Sequence, residues 1–127
     1  MKDFSGLFVL VVDDDEVAQL IMVSLLMKLG VRHITVVSSA EEALAHLRQH
    51  LVHVVFTDYE MPEKDGLQLA GEIALGRTLR HIPVVMVTTV DTKDLHTRLR
   101  QYRGRYVQKD GLSSDHLLHV LQELFPD

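Results

Sequence analysis

The chain has 127 residues, of which 46% are hydrophobic, a formal net charge of -5 and no cysteine. This length fits one domain with a real core, and the lack of cysteine excludes a disulfide framework and a thiolate metal site. The modest negative charge gives no electrostatic reason to expect nucleic acid binding. No apolar stretch approaches the roughly 20 residues of a membrane span, and the first residues lack the apolar core of a signal peptide. We therefore expect a cytoplasmic protein without membrane contact.

Strand-length apolar runs alternate with helix-length segments along the chain. The predicted strands are residues 7–12, 33–37, 53–57, 84–87 and 105–108. The predicted helices are residues 17–29, 40–50, 66–75, 91–102 and 113–124. Such alternation indicates βαβ units with parallel strands and right-handed crossovers. We predict an α/β fold, a doubly wound five-stranded parallel sheet with five helices on its two faces.

Local signals support several of these boundaries. The first run, Leu7 to Val12, is apolar throughout, which is typical of a central strand buried on both faces. Gly30 is a natural stop for the first helix. Ser39 and Glu42 predict a capping box at the start of the second helix.

Four of the predicted strands end in polar residues suited to phosphate or metal chemistry. The first runs into Asp13, Asp14 and Asp15, the third into Asp58, the fourth into Thr88 and the fifth into Lys109. The carboxyl ends of parallel strands share one edge of a sheet, and open α/β sheets bind ligands in the crevice outside those ends. We therefore expect carboxylates, a hydroxyl and an ammonium group to share one pocket.

These residues point to a hard cation and to phosphoryl chemistry. Crowded carboxylates repel one another and raise one another's pKa values. Mg²⁺ removes that cost, because it prefers oxygen ligands and is commonly held by one or two carboxylates with phosphate oxygens. Asp58 could supply both a metal ligand and a nucleophilic oxygen. Lys109 and Thr88 would then bind the phosphoryl oxygens.

Each of these residues also has an ordinary structural explanation. Asp15, or Glu16 after it, could only cap the first helix, and Asp58 could only start a turn. Thr88 could be a β-branched strand residue and no more, and Lys109 could simply be solvated. Their joint placement at strand ends favours a shared functional site.

The motifs that carry these residues resemble those of a known family. They are Val11-Val12-Asp13-Asp14, Asp58-x-x-Met61-Pro62 followed by Asp65-Gly66, Pro83 to Thr88, and Tyr106 three residues before Lys109. Over nearly its whole length the chain resembles the receiver domain of two-component response regulators. The resemblance implies a flavodoxin-like fold of the CheY type with strand order 2-1-3-4-5. It also implies that residues 1–127 are one receiver domain, with no output domain in this chain.

The resemblance further implies a role for each site residue. Asp58 would accept a phosphoryl group from a histidine kinase or a histidine phosphotransfer protein. Mg²⁺ would be held by Asp13, Asp14, Asp58 and the backbone carbonyl of Glu60. Thr88 and Lys109 would bind the phosphoryl oxygens, and Tyr106 would change rotamer as Thr88 moves inward.

The implied output is an altered surface on the fourth helix, fifth strand and fifth helix, available to an effector or a second copy of the chain. In physical terms a local charge change biases a two-state element. The protein would not be an enzyme, beyond slow loss of its own phosphoryl group.

Several positions depart from the family pattern. Asp110 follows Lys109 where the family usually has a proline after a cis bond. Since a cis bond before a non-proline residue costs about 3 to 4 kcal/mol, we expect a trans bond and a differently shaped loop, which affects the reach of Lys109. Glu60, Thr89 and Val90 occupy positions that tune hydrolysis in the family. Their bulk and apolar surface predict a long-lived phosphoryl state.

Two other functions fit parts of the sequence. Asp13 to Val17 also resembles the first motif of haloacid-dehalogenase phosphatases, with Asp13 as nucleophile and Asp15 as acid and base, although the expected cap insertion is missing and the Asp58 signature would stay unexplained. A receiver-like interaction module that works without phosphorylation is the other alternative, suggested by Asp110.

Two further groups of residues have competing interpretations. The histidine pairs His46 with His50 and His116 with His119 have helical spacing, but without a third ligand they are more typical of a surface than of a zinc site. A basic cluster, defined as Arg98, Arg100, Arg103 and Arg105, is either a solvated face or a surface for docking a partner.

Overall fold

The computed structural model describes residues 3–126, in which strands and helices alternate after a short 3-10 helix. The strands are β1 (Phe8–Val12), β2 (His33–Val37), β3 (Val54–Thr57), β4 (Val84–Thr88) and β5 (Arg105–Gln108). The helices are α1 (Glu16–Lys28), α2 (Ala40–Gln49), α3 (Gly66–Leu75), α4 (Lys93–Gln101) and α5 (Ser114–Leu124). Every predicted element is confirmed, because apolar period and terminal signals agree along the chain.

The strands form one parallel sheet in the order β2-β1-β3-β4-β5, which confirms the predicted flavodoxin-like topology. Val12 at the end of β1 pairs with Val37 of β2 on one side and with Thr57 of β3 on the other. The three strands therefore end level with one another. All residues of β3 and β4 are buried, as expected for central strands covered on both faces.

The core consists of two layers, one on each face of the sheet. Successive side chains of a strand point to opposite faces, so Leu10 packs with the layer under α2, α3 and α4, whereas Val9 packs with the layer under α1 and α5. Phe56 of β3 belongs to the second layer and Val55 to the first. The sheet is thus a rigid platform whose carboxyl edge carries the loops.

Each helix begins at a side-chain cap, and the residues are Asp15, Ser39, Asp65, Thr92 and Ser113. The prediction that Asp15 caps the first helix is confirmed, since its carboxylate accepts a hydrogen bond from the amide of Ala18. The predicted capping box at Ser39 is only half right. Ser39 Oγ does accept from the amide of Glu42, but the Glu42 carboxylate accepts from the amide of Ser38 instead of that of Ser39.

Within residues 3–126, no helix has the length and apolar character that crossing a membrane requires.

Gly66, the first residue of α3, allows the helix to start directly against the end of β3. Its amide donates to the carbonyl of Tyr59 at 2.7 Å. A Cβ added at Gly66 would overlap the backbone carbonyl of Asp58 and press on the sulfur of Met86. A larger residue would therefore displace Asp58 or the start of α3.

We expect Gly66→Ala to lower the free energy of unfolding by roughly 2 to 3 kcal/mol, as overpacking of a buried contact does. Alanine is the better helix former, so a loss of stability would identify steric overlap as the cause. Urea denaturation followed by circular dichroism measures the effect. Gly6→Ala is the matched control, because nothing lies within 4 Å of a Cβ built there. A Gly66→Ala variant as stable as the control would contradict the prediction.

Candidate functional site

Three carboxylates converge at the carboxyl edge of the sheet. Asp13 follows β1 and is buried, Asp14 is exposed, and Asp58 follows β3 and is half-buried. One carboxylate oxygen of each lies within 4.8 Å of the others. The Asp58 amide donates to the carbonyl of Val12 at 2.9 Å, which continues the pairing of β1 with β3 and holds the two strand ends side by side.

Lys109 reaches this carboxylate cluster from the far edge of the sheet. Its Nζ lies 3.1 Å from Asp13 Oδ2 and 3.5 Å from Asp58 Oδ1. The amide of Lys109 donates to the carbonyl of Thr88 at 3.0 Å, so the loop after β5 is tied to the end of β4. No cis peptide bond occurs in the described residues, as expected for the bond before Asp110. The ammonium group of Lys109 therefore reaches both Asp13 and Asp58 although the peptide bond before Asp110 is trans.

The crowding shifts the pKa values of the central groups. Burial raises the pKa of Asp58, and the charge of Asp13 acts in the same direction, while Lys109 and the amide of Tyr59 act against it. For Lys109, burial alone would lower the pKa, but the hydrogen bond to Asp13 and the charges of Asp58 and Asp13 outweigh burial and leave it raised. The lysine is therefore charged at neutral pH and only partly offsets the carboxylates.

Backbone and side-chain donors hold Asp13 and Asp58 in place. Asp13 Oδ1 accepts from the amide of Asp15 at 3.0 Å, and the Asp13 carbonyl accepts from Gln19 Nε2 at 2.6 Å. Asp58 Oδ1 accepts from the amide of Tyr59 at 2.9 Å. Gln19 was not singled out from the sequence, because a glutamine inside a helix carries no signal for a backbone carbonyl beside it.

Thr88 and Tyr106 are linked through one residue of the β4 to α4 loop. Thr88 is buried, and its Oγ1 accepts from the amide of Val90 at 3.1 Å. The Tyr106 hydroxyl donates to the carbonyl of Val90 at 2.9 Å and accepts from Gln108 Nε2 at 3.0 Å. The backbone of Val90 therefore joins the predicted phosphoryl contact to the predicted rotamer switch.

The remaining predicted residues lie in the loops that follow β3 and β4. Glu60 and Thr89 are exposed, and Val90 is half-buried. The Glu60 carboxylate is not one of the three cluster groups, and the role of its backbone carbonyl stays a prediction. His96 of α4, which was not selected from the sequence, packs its imidazole on the ring of Tyr106 at a centroid distance of 4.2 Å.

The carboxylate cluster is suited to a hard divalent cation. In the described part of the chain it is the one set of three or more such side chains with ligand atoms this close together. Its donors are all carboxylate oxygens, the ligands that Mg²⁺ prefers. The fold and this cluster together define a flavodoxin-like α/β domain with an acidic site at the carboxyl edge of its sheet.

Comparison with known proteins identifies the family. The family model described as response regulator receiver domain matches residues 9–122, and the chain belongs to that family. Chemotaxis protein CheY1 of Helicobacter pylori is 30% identical over 102 residues, which cover 79% of this chain and 82% of that protein.

Two solved structures share the fold. The receiver domain of a sensor histidine kinase from Pseudomonas aeruginosa PAO1, solved with a magnesium ion coordinated in its active site cleft, is 23% identical with a TM-score of 0.84, covering 96% of this chain and 99% of that one. A probable two-component system response regulator/GGDEF domain protein is 24% identical with a TM-score of 0.85. The match covers 95% of this chain, which spans half of that protein.

The structure also bears on the phosphatase interpretation, on the histidine pairs and on the basic cluster. The phosphatase interpretation requires Asp15 as acid and base; in the structure the Asp15 carboxylate caps α1, and the matched family is that of receiver domains. His46 and His50 stack on each other at a centroid distance of 4.4 Å. Among residues 3–126, no third ligand joins this pair, or His116 with His119, in a set with converging ligand atoms.

In the basic cluster, Arg98 pairs with Asp94 and Arg105 with Glu123. The role of the basic cluster in docking a partner stays a prediction.

We expect Asp58→Asn to raise the thermal midpoint of the cation-free protein at pH 7 by roughly 2 to 5 °C, about 1 kcal/mol in a domain of this size. A folded-state pKa raised above the unfolded value contributes stability that is present at acid pH and lost as pH rises through the folded pKa. The ionised Asp58 therefore costs stability at pH 7, and asparagine removes that cost.

Thermal melts in EDTA between pH 3 and pH 7 test this, and the advantage of Asp58→Asn should shrink toward the ordinary aspartate pKa of 3.8. Glu60→Gln, which removes an exposed carboxylate from the same loop, is the control and should change little. An advantage that does not depend on pH would show that charge crowding is not its cause.

Proposed function

We propose that this chain is a phosphoacceptor receiver of a two-component system, in which Asp58 takes a phosphoryl group from a phosphohistidine donor in a Mg²⁺-dependent reaction. The observation that carries the proposal is the carboxylate cluster with Lys109 Nζ set between Asp13 and Asp58. Membership of the receiver family supports it.

In the proposed reaction the two oxygens of Asp58 have separate tasks. Oδ1 is held by the Tyr59 amide and faces Lys109. A lone pair of Oδ2 would form the new O–P bond while the N–P bond of the phosphohistidine breaks, and the leaving imidazole nitrogen takes up a proton from solvent. Because phosphoryl transfer depends mainly on positioning and charge neutralisation, a carboxylate fixed by its own backbone is a suitable acceptor.

Phosphoryl transfer also requires that the negative charge on the phosphoryl oxygens be neutralised. A Mg²⁺ ion held by Asp13, Asp14, Asp58 and the Glu60 carbonyl would neutralise charge on the phosphoryl oxygens. Lys109 supplies the protein's own positive charge, and once a phosphoryl group is present it would exchange contact with the carboxylates for contact with phosphoryl oxygens. The Thr88 hydroxyl would leave the Val90 amide to bind a further phosphoryl oxygen. Tyr106 would then change rotamer, since its hydroxyl donates to the carbonyl of Val90, the residue whose amide Thr88 would leave.

The donor is proposed to be a histidine kinase or a histidine phosphotransfer protein that presents a helical surface. α1 starts beside the carboxylate cluster and exposes Val17, Leu20, Ile21 and Met27, each between 49% and 70% accessible. These positions lie on one side of the helix. An exposed apolar helix face next to a reaction centre fits a partner with an apolar helical groove or ridge.

The proposed output is a change in the surface formed by α4, β5 and α5, for an effector or a second copy of the chain. We expect no catalytic turnover beyond slow self-dephosphorylation, a cytoplasmic location, and no binding of nucleic acid by this domain. A phosphorylation-independent interaction module remains the alternative if no phosphoryl group is accepted.

Intact mass spectrometry after incubation with Mg²⁺ and acetyl phosphate tests the acceptor. We expect one phosphoryl adduct on the wild type, no adduct on Asp58→Asn, and an adduct that forms at least about tenfold more slowly on Asp13→Asn, because tenfold corresponds to only about 1.4 kcal/mol of lost stabilisation. EDTA should abolish the adduct.

Glu60→Gln controls for general effects of removing a carboxylate near the site. An adduct that persists in Asp58→Asn but disappears in Asp13→Asn would favour Asp13 as nucleophile. Absence of an adduct on the wild type, also with a competent phosphohistidine donor, would leave the interaction module as the better function.

We expect the phosphoryl group to survive for minutes or longer, and Thr89→Ala to shorten its half-life roughly two- to tenfold. Thr89 is exposed directly after Thr88, where its side chain would stand in the path of the attacking water. Decay of the adduct is measured by intact mass after removal of acetyl phosphate. Thr78→Ala, an exposed threonine before β4 at the opposite edge of the sheet, is the control. Wild-type loss within seconds would contradict the prediction.

A further inference from the structure

The ring of Tyr106 is covered by a histidine that the proposed reaction does not use. The His96 imidazole lies 4.2 Å from the tyrosine ring, centroid to centroid, with the planes tilted by 48°. Its Nε2 lies 2.7 Å from Asp91 Oδ1. His96 is half-buried, whereas the side chain of Asp91 is 64% exposed. One imidazole thus joins the loop before α4 to the ring on β5.

The other end of Tyr106 is fixed as well. Its hydroxyl donates to the carbonyl of Val90, whose amide donates to Thr88 Oγ1. The tyrosine is therefore held at its hydroxyl by Val90 and Gln108 and at its ring by His96. The hydroxyl end leads back to the phosphoryl site through Val90 and through the carbonyl of Thr88, which lies 3.5 Å away, whereas the His96 contact is a separate influence on the same side chain.

We propose that His96 is a positioning residue for Tyr106, whose protonated form holds the tyrosine more tightly in the orientation seen here than its neutral form does. The proposal rests on the proposed function, because Tyr106 is there the element that passes the phosphoryl signal to α4, β5 and α5. It makes that output responsive to protons as well as to phosphorylation.

The chemistry of imidazole gives the direction of the effect. Imidazole is the side chain that changes charge between about pH 5 and 8. An imidazolium pairs with the Asp91 carboxylate and is attracted to the face of a tyrosine ring within about 6 Å. Neutral imidazole retains only a hydrogen bond and ring packing. The hold on Tyr106 should therefore be strongest at acid pH and weaken as pH rises.

The other charged groups near this contact define the controls. On α4, Lys93 and Arg100 lie three residues before and four after His96, on the same side of the helix, and oppose its charge. Around Tyr106, Asp91 and Asp110 act together with burial to raise the tyrosine pKa, burial being the larger cause.

His116 and His119 line the same groove as Tyr106, a cavity of about 550 Å³ between β5 and α5. They carry the same titratable ring, so only variants at His96 itself isolate its effect.

The test is NMR of ¹³C-labelled tyrosine rings in the unphosphorylated protein between pH 5.5 and 8, with the Tyr106 signal assigned by Tyr106→Phe. We expect the ratio of held to released Tyr106 in the wild type to fall about threefold over this range, the ratio expected for one cation and ring contact. His96→Phe keeps an aromatic face without charge and should keep the low ratio of the wild type at pH 8 throughout. His96→Arg keeps a permanent charge and should keep the high ratio of the wild type at pH 5.5 throughout.

His81→Phe replaces an exposed histidine at the opposite edge of the sheet and should behave as the wild type. A wild-type Tyr106 signal that does not change with pH, or that changes equally in His96→Phe, overturns the proposal. Since no phosphoryl donor is used, this result is independent of whether Asp58 accepts phosphate. Backbone amide spectra of each variant establish that the fold is retained.

Discussion

The crowding of three carboxylates around one lysine is the constraint on which the rest of this structure depends. Asp13, Asp14 and Asp58 place ligand oxygens within 4.8 Å of one another, and the ammonium group of Lys109 lies beside Asp13 and Asp58. Like charges at this distance cost free energy in a partly buried site. The protein keeps this unfavourable cluster because the packed sheet beneath it holds both strand ends level. A cation or a phosphoryl group that changes the charge of this site would therefore act on residues held by the packed central strands β1 and β3.

Strand order decides which residues take part. β1 and β3 are neighbours although a whole βα unit separates them along the chain, which puts Asp13 beside Asp58. β5 lies at the edge beyond β4, and the amide of Lys109 bonded to the carbonyl of Thr88 aims the lysine back across the site. The departure at Asp110 does not prevent this, because the reach of the lysine is set by the pairing of β5 with β4. The family usually shapes the loop after this lysine with a cis peptide bond, whereas here the bond before Asp110 is trans.

A short path of contacts joins the end of β4 to the surface of α4 and β5. Thr88 Oγ1 accepts from the amide of Val90, the carbonyl of Val90 accepts from Tyr106, and the ring of Tyr106 lies on His96. Each contact joins a different element, so in the proposed function a shift at the end of β4 would change the β4 to α4 loop, β5 and α4 together. Such a path of contacts carries a signal only if its residues have two discrete arrangements, so that some contacts break as others form. The hydrogen bond from the Val90 amide to Thr88 Oγ1 is the contact proposed to be exchanged, since turning the Thr88 side chain toward a phosphoryl oxygen would break it.

The amino-acid sequence by itself determined the elements, their alternation and the set of polar residues at strand ends, because apolar period and capping signals are local properties of the chain. It also indicated the shared edge that collects Asp13, Asp58, Thr88 and Lys109, as parallel strands must end on one side. The strand order came from the family resemblance instead. Only the tertiary structure decided the side-chain partners, such as Glu42 on the amide of Ser38, Gln19 on Asp13 and His96 on Tyr106. Although these partners are close in sequence, their contacts depend on the loop paths and helix orientations of the folded chain, which leave no periodic trace in the sequence.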